Sequence, residues 1–178
     1  MNKEEIAIVL DYLPYGYVLE RKGLPILQAI GKINFTLLQL APRRDISFEL
    51  NEEVYIGEGK RDKVQFIMGR LPREKLTETA KENLQEFIKQ AVEENAEKFV
   101  AFFNKAQPIN TRLHQFELLP GFGKKHTEAI LRAREEKEFA SFEDIKERVH
   151  GLPDPKLAIE KRLIEELTEI QRQNLFIS

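Results

Sequence analysis

The sequence predicts an α+β protein of two domains: a small N-terminal β-barrel, a long connecting helix and an α-helical C-terminal domain. Three observations predict it. From Ala7 to about Leu71, short apolar runs alternate with turn signals, as in a small barrel. From Thr77 to about Ala106 there is no Gly and no Pro, and apolar residues from Leu76 to Phe103 recur at three- and four-residue spacing. Beyond that, helical segments are separated by Leu119-Pro120-Gly121-Phe122-Gly123 and by Gly151-Leu152-Pro153-Asp154-Pro155. The expected boundaries are 1–73 for the barrel, 74–107 for the helix and 108–178 for the C-terminal domain.

In the barrel region, Ile8 to Leu13 opens the first strand and Pro14-Tyr15-Gly16 turns the chain. Pro25 to Gly31 leads into the apolar stripe Ile33 to Leu40, and Ala41 to Asp45 is a loop. Ile46-Ser47-Phe48-Glu49-Leu50 alternates cleanly, the signature of a half-buried strand. Glu53 to Ile56 starts another strand, Gly57 to Lys63 reads as a tight hairpin loop, and Val64 to Leu71 returns. An OB-like barrel is the preferred form and an SH3-like barrel the alternative.

Arg43, Arg44, Lys60, Arg61, Lys63, Arg70 and Arg73 concentrate in loops or at strand ends. Tyr12, Tyr15, Tyr17, Phe35 and Tyr55 supply rings that stack on bases if they face outward. Single-strand binders combine such a basic groove with aromatic platforms. The same residues also fit a packed core, for Phe35 and Tyr55, beneath solvated basic loops.

In the helix, Thr79 with Glu82 fits a capping box at the start, and Asn95 marks a break. Its apolar stripe is not a sustained heptad, which argues against a coiled coil. Next, Asn110 or Thr111 caps a helix running to Glu117, which Pro120 and Gly121 stop. Leu113, Phe116, Ile130 and Leu131 form the core under the turn. Gly121 and Gly123 permit positive φ and close approach of another backbone. The helix behind them begins with unpaired N–H groups and a positive dipole end, an anion site. Lys124 and Lys125 add charge, and His126 lies beside them. Arg132 and Arg134 reach phosphate or pair with Glu135, Glu136 and Glu138. Ser141 with Asp144 caps a further helix through Val149, and the second turn, at Gly151 to Pro155, is a degenerate structural copy of the first.

Composition narrows the functions. The chain has 178 residues, room for one large or two small domains. Without Cys, disulfides, thiolate-bound zinc and thiol catalysis are excluded. No apolar run is long enough to cross a bilayer, and Met1 to Ile6 lacks a signal-peptide pattern, so no membrane contact and a cytoplasmic location are expected. A net charge of −2 argues against broad coating of nucleic acid, so any such function rests on local patches. His114, His126 and His150 form no ligand pair, with His114 and His150 read as surface or interface residues. No P-loop or nucleophile elbow is present. No catalysis, no metal and no cofactor are expected.

Leu119, Pro120, Gly121, Phe122, Gly123 and Ala129 resemble the helix-hairpin-helix motif, with Thr127 where that motif often has Ala. The resemblance implies a grip on nucleic-acid backbone, without sequence readout, by Gly121, Phe122, Gly123, Lys124, Lys125 and His126. The stretch Leu50 to Gly57, the turn Lys60 to Lys63 and the hairpin Leu119 to Lys125 together resemble an archaeal domain-of-unknown-function family. Its members are described as predicted nucleic-acid-binding proteins, with RNA the expected ligand. That implies an OB-like domain joined to a helix-hairpin-helix domain, with RNA favoured over DNA. The alternative is a protein–protein assembly module with a structural hairpin, marked by an uncovered apolar stripe at Leu84, Phe87, Ile88 and Val92. The sequence leaves the oligomeric state open.

Overall fold

The computed structural model describes residues 3–20 and 23–178; the N-terminal reading at Met1 and Asn2 lies outside these. The chain packs as two units. One runs to Phe87 and includes Leu167–Glu169 and Ile177–Ser178; the other holds Ile88–Glu166 and Ile170–Phe176.

The first unit is a curled half-barrel of five antiparallel strands. They are β1 (Ile6–Leu13), β2 (Ile26–Gly31), β3 (Leu37–Pro42), β4 (Glu53–Tyr55) and β5 (Val64–Arg70), in the order β4-β1-β2-β3-β5. Ala7, Val9, Leu27, Ala29, Leu40, Val54 and Val64 fill the core of the sheet. A bulge at Leu10 shifts the register, so that Val9 lies opposite Ala29 while Tyr12 lies opposite Leu27. Side chains alternate between faces, so a single bulge reverses the facing of every later residue in the strand. Tyr12 therefore joins the core of Ala7 and Val9, and Asp11 turns to the other face opposite Gln28.

On that other face Asp11 and Gln28 fix the start of α1 (Glu78–Glu94). The Thr77 hydroxyl donates to Asp11 Oδ2 (2.6 Å) and the Thr77 amide to Gln28 Oε1 (3.1 Å). Gln28 Nε2 donates to the Lys75 carbonyl (2.7 Å). Thr77 Oγ1 then accepts from the Ala80 amide (3.0 Å), so Thr77 is the cap in place of Thr79. The Thr-x-x-Glu spacing points to the wrong threonine because tertiary partners hold Thr77. Asn83 donates to the Leu10 carbonyl at the bulge (2.9 Å), and Phe87 meets Phe35 edge-on (5.7 Å). Phe35 is buried despite a φ of +56°, a conformation that packing imposes. The stripe Leu84, Phe87, Ile88 and Val92 is buried.

Two strand expectations change. Ile46 to Leu50 is a loop entered at Asp45 (φ +58°) and left at Asn51 (φ +66°). Ile46 and Phe48 are half-buried, and Phe48 packs against Tyr12 (5.5 Å). Gly57 to Lys63 is no tight hairpin loop, because β4 pairs with β1 and β5 with β3. The loop instead wraps Tyr55, whose hydroxyl accepts from the Gly59 amide (3.0 Å). A Cβ on Gly57 would lie 2.4 Å from that hydroxyl. β4 and β5 thus remain as the two edges of an open sheet.

The second unit takes the rest of α1, then α2 (Ala96–Lys105), α3 (Lys124–Glu136), α4 (Phe142–Arg148) and, as far as Glu166, α5 (Pro155–Thr168). Asn95 does break the long helix, with its side chain donating back to the Ala91 carbonyl (2.7 Å). Ser141 caps α4, accepting from the Asp144 amide (3.0 Å), and Asp144 Oδ2 accepts from the Ala140 amide (2.9 Å). Arg162 and Glu166 of α5 are buried and paired (2.8 Å). The amides of Leu175 and Phe176 donate to the Glu166 carboxylate (2.9 Å each), which fastens the chain end. No helix among the described residues is long and apolar enough to cross a membrane.

Replacing buried Gln28 by Leu strands the Thr77 amide and the Lys75 carbonyl, and is expected to lower stability by about 2 kcal/mol. Denaturant unfolding monitored by circular dichroism reads this directly; an unchanged midpoint would show that the glutamine does not anchor α1.

Candidate nucleic-acid interface

The segment expected to form a helix from Asn110 to Glu117 does not. Asn110 Oδ1 accepts from the Arg112 amide (2.8 Å) in a local turn, and Pro108 bridges to His114. Only Gln115–Leu118 coils, as a short 3-10 helix. His114, not Asn110 or Thr111, caps it: Nδ1 accepts from the Phe116 amide (3.1 Å), and Glu117 Oε2 accepts from the His114 amide (2.8 Å). Leu113 and Phe116 are three apart, which imitates a helical stripe, but the side-chain acceptors hold the backbone otherwise.

His114, a surface or interface residue by its sequence context, is in fact buried and stacked on Phe116 (4.7 Å, 17°). Its Nδ1 is an acceptor, so the neutral ring carries its proton on Nε2. Burial, and then the nearby Arg134 cation, push its pKa below the ordinary histidine value. Glu117 is held below the ordinary carboxylate range, first by the His114 amide and further by Lys124. The Glu three residues after the cap is the readable signal for this pair.

Next comes the turn. Gly121 adopts φ +83°, and a Cβ there would meet Pro153 Cγ of the second turn at 3.2 Å. Gly123 does not need glycine for its conformation: φ is −122°. It has open space where a Cβ would stand, with no atom within 4 Å. Phe122 is buried and packs inward, so its ring is no ligand contact. Lys124, Lys125 and His126 form the first turn of α3, whose amides have no intrahelical acceptor.

The side chains are employed unequally. His126 Nδ1 accepts from the Gly123 amide (3.0 Å), which removes that donor from the expected grip. Lys124 donates to the Arg112 carbonyl (2.6 Å) and pairs with Glu117 (3.3 Å). Lys125 is exposed and has no partner among the described residues. Beside Lys124 a shallow cavity of about 230 Å³ is lined by Arg112, His114, Glu117, Thr127 and Glu128, a mixed-charge floor. Arg134 donates to the Phe103 and Ala106 carbonyls (3.3 and 2.9 Å), closing the end of α2, and pairs with none of Glu135, Glu136 or Glu138. Among the described residues, no group of three or more His, Asp or Glu side chains is placed to hold a metal ion.

In the half-barrel the basic loop is partly structural. Arg43 Nε donates to the Arg61 carbonyl and Arg61 Nε to the Gly57 carbonyl (2.8 Å each). Lys63 pairs with Glu52 (2.7 Å) over the Phe48 ring. Arg44 and Lys60 are exposed without a partner among the described residues. Of the rings, Phe35 is core, Tyr12 leans on Phe48, and Tyr17 donates to Gln39 Oε1 (2.6 Å) beneath Lys75. Tyr15 faces outward and Tyr55 is partly exposed.

The comparisons with known proteins cover this whole arrangement. The family model described as "Protein of unknown function (DUF655)" matches residues 3–178. The uncharacterized protein MJ0038 of Methanocaldococcus jannaschii is 41% identical over 174 residues, which span 98% of this chain and 79% of that protein. The crystal structure of Af1531 from Archaeoglobus fulgidus is similar with a TM-score of 0.85 at 40% identity, over 98% of this chain and all of that one.

The turn and its cap can each be tested. Gly121→Ala is expected to lower stability by about 2 kcal/mol, through positive φ and the Pro153 contact, while Gly123→Ala, at an extended N-cap with open space, costs about 1 kcal/mol or less; equal losses in thermal unfolding would contradict the turn. The cap is sensitive to acid. His114 and Glu117 both bind protons more weakly folded than unfolded, so each contribution is present above its ordinary pKa and lost as pH falls. Stability is expected to decline as pH drops below about 6.5, and further below about 4.5. His114→Asn, which keeps a capping acceptor, flattens the first decline, and Glu117→Gln the second. Unfolding midpoints measured across that range check both.

Proposed function

The chain belongs to the DUF655 family, whose description assigns no activity, and we propose from its hairpin that it is a non-catalytic nucleic-acid-binding protein. The observation that carries this is the start of α3. Gly121 makes the turn, Gly123 leaves open space, the amides of Lys124, Lys125 and His126 have no intrahelical acceptor, and Lys125 has no partner among the described residues. Amides and a dipole end suit a phosphate oxygen, and the missing Cβ admits a polynucleotide backbone. The Leu119-Pro120-Gly121-Phe122-Gly123 sequence supports reading this turn as a helix-hairpin-helix.

Phosphate contacts of this kind position a ligand without reading bases. Few free cations are present at the site, so affinity is modest and contacts are few. In the OB-like half-barrel, Arg44, Lys60 and Tyr15 are the outward groups that suit a single-stranded segment. RNA is the favoured ligand by family resemblance, and the protein acts without cofactor or membrane, in the cytoplasm. The assembly-module alternative loses its marker, since the stripe it would present is buried.

The test is a salt-series titration with single-stranded RNA, structured RNA and duplex DNA, comparing wild type with Lys125→Glu. Lys125 has no partner among the described residues, so the variant is expected to fold. Binding is expected to weaken with salt, and the slope to become shallower by about one phosphate contact in the variant. Salt-sensitive binding unaltered by Lys125→Glu but reduced by Arg44→Glu or Lys60→Glu would move the site to the half-barrel. Absence of binding at low salt would sink the proposal.

A further inference from the structure

We propose that β5 is a homodimerisation edge, pairing antiparallel with β5 of a second copy about a two-fold axis at Phe66. β5 lies at the edge of the sheet, bonded to β3 alone. It exposes three consecutive apolar residues, Phe66 (50%), Ile67 (37%) and Met68 (45%). No Lys or Pro guards the strand between Val64 and Gly69. Natural edges are usually protected by such residues, and an unguarded apolar edge is a template for another strand.

The occupant is selected by charge. Asp62 and Arg70 flank the apolar run, are exposed, and have no side-chain partner among the described residues. With Phe66 on the axis, Phe66 meets its own copy, Val64 lies opposite Met68, and Asp62 lies opposite Arg70 of the second copy. The symmetry makes that ion pair twice. Directly paired residues share a face, so the axis passes through a residue. An axis at Gln65 sets Lys60 against Arg70, and one at Ile67 sets Arg70 against Val64 and Asp62 against Pro72, leaving both charges unanswered. Of these three registers, only the one at Phe66 pairs Asp62 with Arg70. Aromatic and opposite-charge cross-strand pairs stabilise such a ladder, and like charges oppose it.

Bulges at Gln65 and Met68 interrupt the β3 ladder and bend this edge. They shorten the backbone ladder available to a second copy, so side chains decide the register. The contact is smaller than a standard interface, and association is roughly micromolar or weaker.

Sedimentation equilibrium of the full chain over a wide concentration range tests this. The mass is expected to rise from 20.8 kDa toward twice that value. Asp62→Arg and Arg70→Asp each place like charges across the axis and weaken association by roughly tenfold or more. Mixing the two single variants restores association, because each chain then supplies what the other lacks. The double swap in one chain restores it also. Circular dichroism confirms that the variants are folded. A monomer at every concentration overturns the proposal. So does self-association that the single variants leave unchanged, or a mixture that stays monomeric.

Discussion

The buried ring of Phe103 is the contact on which the helical unit depends. It lies 5.6 Å from Phe102 and from Phe116, 6.4 Å from Phe122 and 6.5 Å from Phe142. Those rings come from α2, the 3-10 helix, the turn and α4, so one side chain ties four segments that the sequence spreads over forty residues or so. Aromatic pairs add geometry to a large burial of area, and the near-parallel stack of Phe103 on Phe116 (22°) continues into His114 (17°). Because Phe116 and Phe122 flank Leu119-Pro120-Gly121, the turn is held from its apolar side. Its other side, at Gly123, has open space where a Cβ would stand.

The half-barrel solves the same problem with polar groups. Its constraint is the parity change at Leu10, which sends Tyr12 inward and lets Asp11 and Gln28 share one face. A buried Gln with all its partners satisfied fixes one geometry, whereas apolar contacts alone tolerate sliding. The cap of α1 is therefore set by strands β1 and β2, and helix propensity has little part in it.

Much of this is legible where a single residue type has a single physical use. Pro120 and Gly121 announce the turn, Asn95 the helix break, and Ser141 with Asp144 the cap of α4. Reading fails where local pattern and tertiary partner disagree. Ile46 to Leu50 alternates like a strand, yet β1 is already flanked by β4 and β2. Leu113 and Phe116 are spaced like a helix, yet His114 and Asn110 supply acceptors that bend the chain first. The spacing to Glu82 favours Thr79, yet Asp11 and Gln28 hold Thr77. At the candidate site the basic letters are visible in the sequence, but their employment is not.

That employment changes what the cations mean. Arg43, Arg61 and Arg134 donate to backbone carbonyls, and Lys63 and Lys124 are paired with carboxylates. A guanidinium is suited to closing the end of a helix or loop, since its fork reaches several carbonyls at once. A cation so placed holds the scaffold and adds little free charge to the surface. Among the described residues, the cations without a side-chain partner at the two candidate surfaces are Arg112, Lys125 and Arg132 on one and Arg44 and Lys60 on the other. In a chain of net charge −2, a ligand is then not gathered by a broad positive field. In the proposed binding mode, recognition at the start of α3 would rest on amide donors and on the distance of closest approach that Gly123 allows. Such a site would select for a backbone thin enough to enter, with geometry doing there what charge does in a strongly basic protein.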